Sequence, residues 1–178
     1  MRFFVLLCLL VSLATAALAD AIEDAYSAIP HTRTVFDGSA ARMSSAERDC
    51  LKTLFSLVDA AIVERVNMLI WLQSGGEKGA VATQYDYILD QLESLETPEK
   101  LKSIRDLVVS AIRQQKAFLE EWSAAEDDRP VNVGAHPLVQ SASQKLHQAY
   151  AELMAIYPAE GSHNKQAFFD YLCALDFI

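Results

Sequence analysis

From residue 44 onward, apolar side chains return every three or four positions: Leu51, Leu54, Phe55, Val58, Ala61, Ile62, Val66, Leu69 and Leu72. At about 100° per residue they share one broad stripe, which predicts a long amphipathic helix over 44–74. Its start is marked by Ser44-Ser45-Ala46-Glu47, the spacing of a capping box. Its end is marked by Gly75-Gly76, two residues that accept positive φ and stop a helix without strain.

The same period recurs downstream. Val81, Tyr85, Ile88, Leu92 and Leu95 predict a second helix over about 80–96. Thr97-Pro98 is a stop and restart, with Pro at the first position of a third helix over 98–125. That helix carries its stripe at Leu101, Ile104, Val108, Ala111, Ile112, Leu119 and Trp122. Glu126 to Pro137 breaks the pattern with Pro130, Gly134 and Pro137, a length of loop in which recognition often resides. A fourth helix follows to Tyr157, and a last one over 163–176. The last is apolar on two sides, with Ala167, Phe168, Tyr171 and Leu175 on one and Phe169, Cys173 and Phe177 on the other. A helix apolar nearly all round is expected to be buried, here with its second face against the region of Cys50. No strand-like alternation and no repeat is present. The expected fold is all-α: a single-domain five-helix bundle, up-and-down, with a buried C-terminal helix.

The N-terminal residues belong to a different pattern. Met1-Arg2, an apolar run from Phe3 to Leu13 and the small residues through Ala19 read as a secretory signal peptide cut before Asp20. Residues 1–19 are therefore expected to be removed, and 20–43 to form an extended arm with a turn at Asp37-Gly38, held down by Val35 and Phe36. Residues 44–178 form the bundle domain. The whole chain has a formal charge of −9, and loss of Arg2 with the leader makes it −10. Such an acidic chain argues against nucleic acid or an anionic membrane surface as partner. No membrane anchor is expected after cleavage, because the apolar run is short. Export to the periplasm or the cell exterior also bears on the cysteines. Cys50 and Cys173 survive cleavage, and an even count in an oxidising compartment predicts a disulfide between them. Closing so long a loop is worth up to about 4–5 kcal/mol.

Few residues suggest chemistry. Arg65 falls in the middle of the stripe of the 44–74 helix, between Val58, Leu69 and Leu72. Gln115 falls in the middle of the stripe of the 98–125 helix. Asp59 and Glu64 lie off the stripe and are expected in water. A guanidinium keeps its proton, so a buried one requires carboxylates, carbonyls or an anionic ligand. If their helices pack side by side, Arg65 and Gln115 are either the candidate ligand-binding residues of one interior pocket or a buried structural polar layer that fixes helix register. His31, His136, His147 and His163 share no helical spacing, Glu160-Gly161-Ser162-His163 spans a turn, and neither metal nor cofactor is expected. No nucleophile elbow, phosphate loop or dinucleotide fingerprint occurs, and no catalytic residue is assigned.

LFSLVDAAIVERV and IRQQKAFLEEW resemble, over about Leu54 to Trp122, the corresponding helices of secreted chorismate mutases, which are exported and all-helical. The resemblance implies a bundle pocket lined by a helix arginine and a Gln, the types of Arg65 and Gln115. It also implies a lysine about three turns after the arginine, where this chain has Gly76. The likeness is one of bundle patterning. The function expected is a binding or accessory protein without a catalytic centre, with an unidentified protein or a small anion as its partner. The alternative is a small-metabolite enzyme with an anion-binding pocket inside the bundle.

Overall fold

A computed structural model describes residues 20–29, 32–73, 83–124 and 132–176, whose regular elements are helices with no strand among them. The helices are α1 (residues 20–27), α2 (Ser45–Gln73), α3 (Thr83–Ser94), α4 (Lys102–Ala124), α5 (Pro137–Ile156) and α6 (Ser162–Leu175). The five-helix expectation is corrected by α1, which replaces an extended start to the arm. Asp20, Glu23 and Asp24 lie at its positive N-terminal end, and Ile22, Ala25 and Tyr26 form a short stripe against the bundle.

α2 to α6 each pack on their neighbour in sequence, and α6 returns to α2, closing a ring. Successive helices run up and down. In a ring of five such helices one neighbouring pair must run parallel, and that pair is α2 and α6. The contacts confirm the direction: Tyr171 stacks on Phe55 at 4.5 Å, and further along both helices Arg65 meets Ala174. The core between them is aromatic, with Phe55, Phe168 and the arm's Phe36 in mutual contact.

α2 begins with a reciprocal cap. Glu47 N–H donates to Ser44 Oγ at 3.3 Å, and Ser44 N–H donates to Glu47 Oε2 at 3.0 Å. That backbone bond, aided by Lys100, holds the Glu47 carboxyl below its usual pKa. Gly75-Gly76 lies outside the described residues. Pro98 leads into a 3-10 turn, Glu99–Leu101, that feeds α4. Thr97 donates to Leu95 O at 2.8 Å instead of capping. Most of the 126–137 loop lies outside the described residues. Its end forms a second 3-10 turn, Val133–Ala135, before Pro137 opens α5.

No disulfide joins Cys50 to Cys173. Because α6 runs parallel to α2 with Tyr171 level with Phe55, Cys173 lies on the order of 10 Å further along the axis than Cys50. A disulfide needs Cα atoms within roughly 7 Å. Burial pushes both thiols above their ordinary pKa. The expectation for the second face of α6 is corrected too. Phe169 is 45% exposed, edge-on to Tyr150 at 5.6 Å, and Cys173 is half-buried. Phe177, the third residue of that face, lies outside the described residues. No helix among the described residues is long and apolar enough to cross a membrane.

Candidate functional site

Arg65 is 2% exposed, on the face of α2 that turns inward. Its guanidinium points at the end of α6. Nη1 donates to Leu175 O at 3.2 Å and also to Asp176 O, and Nη2 donates to Ala174 O at 2.7 Å. From α4, the fully buried Gln115 donates through Nε2 to the same Leu175 O at 2.5 Å. The last carbonyls of a helix have no partner within it, and they carry the negative end of its dipole. A buried guanidinium and a buried amide thus meet a buried helix terminus, and each answers the other's need. Burial pulls the Arg65 pKa down, while Tyr85 and Asp176 favour its charge. Tyr85, wholly buried at the start of α3, has its phenol pushed up by burial.

Asp176 continues this node outward. Its Oδ2 accepts from Ser143 Oγ at 2.7 Å and lies 3.6 Å from His147 Nε2, both on α5. Serine, histidine and aspartate are together here, but connected in the wrong sense for nucleophilic catalysis. The hydroxyl donates to the carboxylate, not to the imidazole, and Ser143 is buried.

A second buried charge sits on the same helix. Asp59, expected in water, is 3% exposed. The arm lies across it: Arg33 Nη2 reaches Oδ2 at 2.7 Å, and Tyr26 Oη donates to Oδ1 at 3.1 Å. Partial burial works against the Arg33 charge, but the hydrogen bond and attraction of Asp59 outweigh it and raise its pKa. Burial, and then the carboxylate, push Tyr26 up. Asp59 lies off the α2 stripe, but the arm makes a second buried face there. Glu64, also expected in water, is half-buried, and desolvation raises its pKa.

Three further buried polar residues escaped the periodicity because they bind backbone. Glu160 and Asn164 lie at the start of α6 and Asp170 past its middle, and all three hold the arm's main chain. The signal for Asp170 was a carboxylate interrupting the apolar run from Ala167 to Leu175.

The structure brings Arg65 of α2 and Gln115 of α4 to one acceptor, Leu175 O. What lies between them is the carbonyl end of α6. At the surface, Arg105 and Arg113 of α4 flank a shallow notch of about 260 Å³ against Glu93 of α3. Each is already paired, Arg113 with Glu93 at 2.5 Å and Arg105 with Asp106 at 2.8 Å. No group of three or more His, Cys, Asp or Glu side chains among the described residues is placed to hold a metal. No family model, no curated protein and no solved structure matches the chain.

Proposed function

We propose that this is an exported helical-bundle protein that acts by binding a partner protein, as an accessory factor without a reaction centre of its own. One observation carries the reading: the inward-facing polar pair, Arg65 and Gln115, is spent on the terminal carbonyls of α6. A guanidinium engaged in this way serves the fold and leaves few donors for a substrate carboxylate. Export rests on residues 1–19, with their basic start, apolar run and small-residue end. The domain division follows: a leader over 1–19, an arm over 20–43 and a bundle over 44–178. In this division α2 to α6 are the five-helix bundle and α1 belongs to the arm.

Two measurements test this reading. The first is calorimetric titration of the purified protein with succinate, the simplest dicarboxylate probe of an arginine pocket; no saturable heat is expected. Saturable binding that disappears in a folded Arg65→Met variant would restore the small-anion enzyme reading. The second is N-terminal sequencing of protein recovered from its native source. A start at Asp20 is expected, and protein retained in the cytoplasm with Met1 or Arg2 at its terminus would remove export.

A further inference from the structure

We infer that the groove between α2 and α6 is a binding site for an extended peptide carrying Arg and Phe three residues apart, filled in the free protein by the chain's own arm. The inference rests on the partner-binding reading and names the class of partner.

The evidence is the way the arm is held. Residues 32–37 form neither helix nor sheet. Their main chain is gripped by side chains of the bundle. Thr34 N–H donates to Asp170 Oδ2 at 3.1 Å, and Asp37 N–H donates to Asn164 Oδ1 at 2.9 Å. Asn164 Nδ2 returns a bond to Asp37 O at 3.0 Å, and His163 Nε2 lies 2.9 Å from Val35 O. Further on, Arg42 N–H donates to Glu160 Oε2 at 2.8 Å. These contacts read backbone and accept any residue. Among residues 32–37 the side chains that are read are Arg33, on the buried Asp59, and Phe36, between Phe55 at 5.7 Å and Phe168 at 5.9 Å; further on, Gly38 packs against the Lys52 side chain and Arg42 Nη1 donates to Ala159 O at 2.9 Å. Val35, between the two anchors, is 53% exposed and is not read. Main-chain hydrogen bonds with pockets for selected side chains are the general logic of extended-peptide recognition.

The same chemistry makes the groove reversible. Carboxylates and amides that hold a main chain exchange it for water with little net change. Of residues 32–37 only Phe36 packs on the apolar core, so the rest of this stretch is held by polar contacts that water can replace. Asp59 and Asp170 become hydrated when the arm leaves, whereas Arg65 stays inside the ring of helices whatever the arm does. An incoming Arg-x-x-Phe segment competes with the arm. Its apparent affinity is lowered in proportion to the fraction of molecules whose groove is open.

The test uses the full mature chain and a fluorescein-labelled peptide of residues 32–43, TRTVFDGSAARM. Arm-weakened protein, carrying Arg33→Ala and Phe36→Ala, is expected to bind it at least about tenfold more tightly than wild type by fluorescence anisotropy. The peptide with Ala in place of its Phe should lose binding, as should arm-weakened protein that also carries Asn164→Ala. Arm-weakened protein that keeps its helical circular dichroism and melts cooperatively, yet binds no peptide, overturns the proposal. So does a wild-type dimer, seen by light scattering, that excludes the peptide, since the groove would then serve self-association. If the double variant does not fold, hydrogen exchange on wild type decides. Amides 34, 37 and 42 should exchange at least about a hundredfold faster than those of α4 and α5, and equal protection overturns the proposal. Failure here with no succinate binding removes the groove alone and leaves the accessory reading in place.

Discussion

α2 buries two charges within two turns of each other, and the fold treats them in opposite ways. Arg65 is enclosed by the ring of helices and neutralised by the carbonyl end of α6. Asp59 is enclosed by the arm and neutralised by a side chain of the arm, Arg33, itself 29% exposed. The first charge is compensated by the backbone of the domain, so it cannot be released without undoing the bundle. The second is compensated by a segment lying outside the ring, so its partner can be removed without taking apart the helices that form the ring. The lesson concerns where a buried charge finds its counter-charge. A helix terminus ties the charge to the bundle itself, whereas a peripheral strap ties it to a segment outside the ring.

Three substitutions break or sharpen this contrast. The largest effect is expected at Arg65→Met, which keeps the bulk but removes the guanidinium from the carbonyls of Ala174 and Asp176 and leaves Leu175 O to Gln115 alone. Urea unfolding should show a loss of about 3 kcal/mol, with the end of α6 the first segment to lose exchange protection. A loss below about 1 kcal/mol would mean that the terminus is satisfied without the guanidinium. Next comes Asp59→Ala, which should lower stability by about 2 kcal/mol, because Arg33 can turn outward to water. Its mark should fall on the arm: proteolysis within 32–43 accelerates while the thermal transition of the bundle stays cooperative. If both substitutions destabilise the whole domain equally, the contrast fails. The smallest effect is expected at Gln115→Leu. Leu175 O keeps its bond from Arg65, and the amide oxygen of Gln115 has no hydrogen-bond partner among the described residues. The change should stay within about 1 kcal/mol of neutral in the same unfolding assay.

Much of the fold was legible in the chain. The stripe of α2, its Ser44–Glu47 cap and the turn at Asp37-Gly38 each depend on neighbours a few residues away, and each is present. Arg65 and Gln115 stood out for the same local reason, being polar residues on an apolar line. The misses share a cause. The period that placed Asp59 in water describes one face of one helix and knows nothing of an arm arriving from residue 33. The cysteine count suggested a bond, but a count carries no axial position. The two apolar faces of α6 suggested complete burial, yet the neighbours cover one and leave Phe169 45% exposed.

The sequence by itself determined that the chain is helical, where most helices begin and end, and which inward positions are polar. These follow from side-chain periodicity and end chemistry, which act over one or two turns. Only the tertiary structure decided what those polar residues are for. An odd number of alternating helices closing into a ring forces α6 to run beside α2 in the same direction. That parallel pairing sets the C-terminus of α6 against Arg65, holds Cys173 away from Cys50, and opens beside Asp59 the groove in which the arm lies.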